Sequence, residues 1–253
     1  FPFPAYRAGQ RELAQEIYLA IRDKRMVLAQ APTGTGKTLT AFLWFIDRLT
    51  GLAARGALEE KTYVLYISPL KALGNDIEAN LRRPLAGIAA RMAQSGLVPQ
   101  EIRVAVRNGD TPGAERRALL RHPAHILITT PESLYLMLTS AAREALRTVE
   151  TVIVDEVHAL AGDKRGAHLS LSLERLDDLL EAPAQRIGLS ATVRPRDEIA
   201  RFLGGPHPVR VVASEGRPDM DVRVRVPGAR EGEIVRAAVE DVQGQTAVGR
   251  PLA

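Results

Sequence analysis

Apolar positions along the chain alternate between short unbroken runs and longer stretches with helical spacing. The unbroken runs are 26–31, Thr62–Ile67, Ile102–Arg107, Ala124–Thr129 and Thr151–Asp155, with shorter ones at Arg186–Leu189 and Val209–Val212. A run such as T-Y-V-L-Y-I, apolar on successive rather than alternate positions, is what a strand covered on both faces requires. Between them the period lengthens. Helices are predicted over Tyr6–Arg22 (Leu13, Ile17, Ala20, Ile21), Gly36–Ala54, Leu70–Met92 with an interruption at Pro84, Pro112–Arg121, and Pro131–Leu138 with proline at its first position. Ala141–Leu146 continues helical, Ala167–Leu180 is a long helix, and Asp197–Phe202 is stopped by Gly204-Gly205-Pro206. Strands alternating with helices in this way predict an α/β fold, a mostly parallel sheet with helices on both faces.

The character changes at Ser214. E-G-R-P-D-M-D is linker-like, V-R-V-R-V alternates like an edge strand, Ala229–Val242 reads as one helix, and Gly244–Ala253 has no pattern. The expected division is a domain over 1–213 and, over 214–253, a linker with an incomplete C-terminal extension.

Composition narrows the chemistry. Of 253 residues 45% are hydrophobic and only 4% aromatic, so the core is built from Ala, Val, Leu and Ile. Cysteine is absent, which excludes disulfides, thiolate zinc sites and iron–sulfur clusters. The five histidines lack metal-ligand spacing, and apart from His158 they read as capping or surface groups. No apolar run approaches the ~20 residues of a membrane span, and no secretory signal opens the chain, so a cytoplasmic protein without a membrane partner is expected. Net charge is +4, a mild excess that is weak evidence for nucleic acid on its own.

Two stretches carry phosphate chemistry. In M-V-L-A-Q-A-P-T-G-T-G-K-T-L-T (Met26–Thr40) an apolar strand feeds the turn Thr33-Gly34-Thr35-Gly36, and Lys37-Thr38 opens a helix. Glycines let backbone wrap a phosphate, and successive N–H groups with the helix N-terminus offer it positive charge. Lys37 would neutralise the β/γ-phosphates and the Thr38 hydroxyl would sit on Mg²⁺. Ala31 stands where the usual pattern has its first glycine. The second stretch, T-V-I-V, ends in Asp155-Glu156-Val157-His158. At the C-terminal edge of a doubly wound sheet, where ligands bind, Asp155 can hold Mg²⁺ while Glu156 orients and deprotonates the attacking water.

With Ser190-Ala191-Thr192 added, the set Ala31–Thr38 and Asp155–His158 resembles the first RecA-like domain of a superfamily 2 helicase of the D-E-x-H type. Ser68-Pro69-Leu70-Lys71-Ala72-Leu73, Gly109-Asp110-Thr111-Pro112, Ile126–Leu138 and His158–Leu169 are similar to the large helicase-related (Lhr-type) ATP-dependent DNA helicases. The opening F-P-F-P-A-Y-R-A-G-Q-R-E-L looks more like DinG-type helicases, whose cluster-ligating cysteines are missing here.

The resemblance implies a RecA-like P-loop NTPase fold, ATP and Mg²⁺ as cofactors, and Gln10 as an adenine reader. It implies Ser190, Ala191 and Thr192 acting with His158 to couple nucleotide state to strand grip. A single strand, DNA in preference to RNA, would lie along Ser68, Pro69 and Lys71 and along Thr130, Pro131, Glu132 and Ser133. On the residues alone, Pro131-Glu132-Ser133 has a plain capped helix start as its alternative, and Gly162–Gly166 either touches the strand or turns the chain. Motors of this type need a second RecA-like domain, in cis or in trans, and no block of that kind follows Ser214.

Overall fold

The computed structural model describes residues 10–31, 37–191, 195–213, 223–225, 237–243 and 246–251. The chain forms two compact units, Phe1–Gly216 and Arg217–Ala253.

In the first unit, strands β1 (Met26–Gln30), β2 (Val64–Ile67), β3 (Val104–Arg107), β4 (Ile126–Thr129), β5 (Thr151–Val154), β6 (Gln185–Ser190) and β7 (Val209–Ala213) form one sheet. Its order is β3-β4-β2-β5-β6-β1-β7, and every pairing is parallel. Helices α1 (Gln10–Arg22), α2 (Lys37–Ala54) and α3 (Lys71–Gln94) cover one face, with Ile17, Phe42, Phe45 and Leu81 buried against β1 and β2. On the other face α5 (Pro131–Leu138), α6 (Lys164–Asp177) and α7 (Arg196–Gly204) bury Leu134, Leu173 and Leu203 against β5 and β2. Helix α4 (Gly113–Arg121) joins β3 to β4. The two apolar layers explain why the strands read as unbroken runs: both faces of β2, β4 and β5 are buried along their whole length.

Close approach fixes one glycine in this sheet. A Cβ on Gly188 of β6 would lie 2.7 Å from Leu203, 3.0 Å from Val157 and 3.1 Å from Leu28, so α7 sits on β6 only because no side chain intervenes. Two positions earlier on β6, Arg186 is buried at 1% side-chain exposure. Its Nη2 reaches Glu174 at 2.8 Å and Asp177 at 2.7 Å, both on α6, and its Nη1 donates to the Leu203 carbonyl at 3.0 Å.

The structure departs from the sequence reading in three places. Pro84 does not interrupt α3, which runs through it from Lys71 to Gln94. Pro84 has no N–H to donate to the carbonyl of Asn80, four residues back, and Asn80 is exposed, so the lost backbone bond falls where solvent can reach. Ala141–Leu146 is a 3-10 turn capped by the Ser140 hydroxyl rather than a continuation of α5. In the second unit, β8 (Arg223–Arg225), β9 (Ala237–Gln243) and β10 (Thr246–Pro251) form a three-stranded sheet, with β10 parallel to β8 and antiparallel to β9. The helix expected over Ala229–Val242 is therefore a strand from Ala237 onward, and the patternless Gly244–Ala253 contains β10. Pairing across a two-residue connection supplies each strand with backbone partners that helical propensity along one segment cannot foresee.

Candidate nucleotide and nucleic-acid site

Five of the sequence motifs leave the sheet at its C-terminal edge from five adjacent strands, and Gly109–Pro112 leaves the same edge from the neighbouring β3. In sheet order the five are β4 with Thr130-Pro131-Glu132-Ser133, β2 with Ser68-Pro69, β5 with Asp155–His158, β6 with Ser190-Ala191, and β1 with the segment that opens α2. Register aligns their ends: Thr129, Ile67 and Val154 stand side by side across β4, β2 and β5, and Gln30 faces Ser190. Gln10 and Lys37 are the first residues of α1 and α2, and Thr38 is half-buried in the first turn of α2. Thr33, Gly34, Thr35, Gly36 and Thr192 lie outside the described residues.

Asp155 is buried at 5% exposure. Its Oδ1 accepts the Glu156 N–H at 3.0 Å, and its Oδ2 accepts the hydroxyl of Tyr66, a fully buried residue of β2. Burial, with the Asp155 charge beside it, pushes the Tyr66 phenol far above its ordinary value, so it stays a donor at any working pH. Glu156 takes left-handed backbone angles (φ 45°, ψ 45°), unusual for a residue with a side chain. That turn sends the chain sharply away from β5 and leaves Glu156 half-buried at the strand mouth.

His158 is where β5 and β6 meet. Its Nδ1 lies 3.2 Å from the Ala191 N–H, 3.3 Å from Ser190 Oγ and 3.3 Å from Glu156 Oε2. The Ala191 N–H can only donate, so Nδ1 is the acceptor and the ring proton sits on Nε2. The Ser190 hydroxyl donates to the Ala191 carbonyl at 2.9 Å. One imidazole thereby ties the carboxylate segment to the S-A-T segment.

The residues offered for a metal are oxygen donors, the Asp155 carboxylate and the Thr38 hydroxyl. Among the described residues no group of three His, Cys, Asp or Glu side chains is placed to hold a metal. A small set of hard oxygens with no protein cage suits Mg²⁺, which keeps its waters and borrows phosphate oxygens.

The residues expected to meet a strand differ in how they are disposed. Lys71 is half-exposed at the start of α3 and pairs with Asp110 at 2.6 Å. The loop carrying Asp110 is held rigid by Asn108, Thr111 and Arg116. Ser68 is fully buried and its hydroxyl donates to the Leu70 carbonyl at 2.9 Å, closing the turn after β2. Thr130 caps α5: its Oγ1 accepts the Ser133 N–H at 3.4 Å and lies 3.2 Å from Ser133 Oγ, both residues being buried. The Gly162–Gly166 segment turns the chain into α6, with Asp163 Oδ1 accepting the Gly166 N–H at 2.8 Å. A Cβ on Gly166 would fall 1.8 Å from the Leu160 carbonyl oxygen.

Sequence reasoning did not single out Tyr66 at this edge, and it took Arg165 only as part of the Gly162–Gly166 segment. Tyr66 carried a signal: a tyrosine inside a doubly buried strand must find a hydroxyl partner. Arg165 donates to Glu132 Oε1 at 2.7 Å and to the Pro69 carbonyl at 2.8 Å, and nothing in its exposed, charged sequence context foretells either.

Comparison with known proteins identifies the family and the fold. The family model for DEAD/DEAH box helicases matches residues 7–200. The chain is similar to the Lhr helicase/probable uracil glycosylase of Mycolicibacterium smegmatis, at 58% identity over 212 residues. That match covers 84% of this chain and 14% of the relative. It is also similar to the ATP-dependent helicase Lhr-Core of Methanothermobacter thermautotrophicus, at 53% identity over 204 residues, covering 80% of this chain and 23% of the relative. The chain therefore spans between about a seventh and a quarter of the length of these relatives. Among solved structures, that of Mycobacterium smegmatis helicase Lhr bound to ssDNA and AMP-PNP superimposes with a TM-score of 0.79 at 53% identity, covering 89% of this chain and 28% of the other. DEAD-box helicase Mss116, bound to ssRNA and UDP-BeF, shares the fold with a TM-score of 0.70 at 18% identity, covering 88% of this chain and 44% of that one.

Proposed function

The chain belongs to the DEAD/DEAH box helicase family, and from that premise we propose that it is the ATP-binding motor domain of an Lhr-type helicase acting on single-stranded DNA. The observation that carries the proposal is the single edge on which nucleotide-type and strand-type motifs emerge from five adjacent strands. ATP would bind across β1 and β5, with Thr33–Thr38 around its phosphates and Gln10 at the adenine. Lys37 would balance the β/γ charge, and Glu156, turned out of β5, would take the proton of the attacking water. Thr38 and Asp155 would hold Mg²⁺, which when bound supplies positive charge to the phosphate oxygens.

The strand would run across the ends of β2 and β4. Lys71 there offers a point charge, and the start of α5 at Thr130, Pro131, Glu132 and Ser133 offers the positive end of a helix. His158, with Ser190, Ala191 and Thr192, would pass the state of the nucleotide side to that grip. DNA is preferred to RNA because the Lhr structure this chain resembles at 53% identity is described with ssDNA. A second RecA-like domain would supply the other wall of the ATP cleft and an arginine to the γ-phosphate, worth ~10³–10⁵ in rate. The greater length of the relatives leaves room for one.

The test is ATP hydrolysis, however slow in this chain alone, with and without single-stranded DNA, beside Lys37→Ala and Glu156→Gln. Expected are stimulation by the strand, loss of nucleotide binding in the first variant, and binding without turnover in the second. Hydrolysis indifferent to any single strand would overturn the motor reading. Equal stimulation by RNA would overturn the preference for DNA.

A further inference from the structure

The two segments assigned above to strand binding come from different connections, the turn after β2 and the start of α5. No backbone hydrogen bond joins them beyond the sheet itself, where the Ser68 N–H donates to the Thr129 carbonyl at 2.9 Å. Past that point a third segment spans them. Arg165, at the start of α6, directs Nε to Glu132 Oε1 at 2.7 Å and Nη2 to the Pro69 carbonyl at 2.8 Å. The carboxylate belongs to the second residue of α5, and the carbonyl to the turn that leads into α3 and Lys71.

We propose that Arg165 is a positioning residue, a strap that fixes the spacing between the β2–α3 turn and the N-terminus of α5 and so sets the geometry of the strand-binding face. This rests on the motor reading above. A planar guanidinium has donors in a fixed fork, so one side chain holds a carboxylate and a carbonyl at a set separation, whereas the three donors of a lysine ammonium rotate about one atom and fix no such spacing. The strap adds little to folding: both side chains are about half exposed, at 42% and 55%, and solvent screens ion pairs of that kind. Its consequence is geometric.

The anchorage of Arg165 is rigid. Asp163 caps α6, Gly166 lies directly against the Leu160 carbonyl, and Leu160 and Val157 are fully buried. Arg165 is thus mounted on the same rigid excursion that begins at Glu156 and His158. The neighbouring strands supply the other two mounts, since β2 stands between β4 and β5 in the sheet. Three connections from three adjacent strands meet at one guanidinium.

The experiment compares wild type, Arg165→Ala and Arg165→Lys in single-stranded DNA binding over a range of salt, and in amide hydrogen exchange without DNA. A strap predicts affinity weakened by about three- to ten-fold in both variants, with an unchanged slope of log K against log salt. Faster exchange is expected together in residues 70–74 and 132–134, with an unchanged unfolding midpoint. A slope reduced by about 0.7 would mean that Arg165 itself neutralises a phosphate, and would overturn the inference. Unchanged affinity and unchanged exchange would also overturn it. If the wild type binds no single strand, the motor reading fails, and the exchange result alone still decides whether the strap exists.

Discussion

Tyr66→Phe isolates the bond between β2 and the carboxylate at the end of β5. The substitution deletes one oxygen and keeps the ring, whose centroid lies 5.2 Å from that of Phe42. Packing is therefore preserved and only the donor to Asp155 Oδ2 is lost. Hydrogen bonds to charged groups contribute about 1.5–3 kcal/mol, and the acceptor here is buried, where water cannot replace the donor. For a unit of this size each kcal/mol moves the melting temperature by about 2–4 °C. The expected drop is therefore about 3–12 °C, with an unchanged denaturant m-value because the surface exposed on unfolding is the same. Asp155 keeps the Glu156 N–H on Oδ1 and loses the Tyr66 hydroxyl on Oδ2. Calorimetric titration should accordingly show nucleotide affinity falling a few-fold in Mg²⁺ and unchanged in EDTA. A variant within about 0.5 kcal/mol of wild type would refute the strength assigned to the bond. A destabilised variant with unaltered Mg²⁺ dependence would make it a purely structural contact.

Asp110→Asn should release Lys71 from its 2.6 Å partner and tighten single-strand binding by about two- to five-fold, while Lys71→Ala weakens it and lowers the salt slope by about 0.7. Weaker binding by Asp110→Asn in fluorescence anisotropy would show that the pair, not the free ammonium, meets the strand. His125 is buried, its Nδ1 accepting the Arg103 N–H at 2.9 Å, and burial, then the Arg103 charge, holds its imidazole below the ordinary 6.5. The unfolded chain thus takes up this proton at higher pH than the folded one. The stability it contributes is present above 6.5 and lost as pH falls below it. His125→Asn, which keeps an acceptor and does not titrate, should flatten urea midpoints over that interval, and a variant with the wild-type pH profile would remove His125 from the account.

Much of the first unit was legible because both signals it uses are local. β1 and α2 carry the two hydrophobic periods without a break, and Thr130 followed by Pro131 announces α5 to the residue. What escaped depends on residues far apart in sequence. Arg186 lies in a run read simply as a short strand, and its burial becomes tolerable only through Glu174 and Asp177, one turn apart on α6. β9 and β10 exist because they pair with each other, and the alanines and glutamate of A-A-V-E-D-V-Q favour a helix when read alone. The site divided along the same line. Asp155, Glu156 and His158 announce themselves as a contiguous motif. Tyr66 and Arg165 matter through partners 89 and 96 residues away.

A sheet whose strands all point one way has two unlike rims. Every segment assigned to ligands leaves from one of them. The opposite rim carries the returns into the strands, among them Ser95–Val98 with Gly96 in left-handed backbone (φ 78°), and Glu181–Pro183, both exposed. These returns are engineering handles. A biotin acceptor, a dye or a surface tether grafted into 95–98 or 181–183 would hang from the far side of the sheet, its attachment separated from the ligands by the length of the strands. Molecules immobilised by that rim would present the other to solution in a single orientation, as a single-molecule assay of strand capture requires.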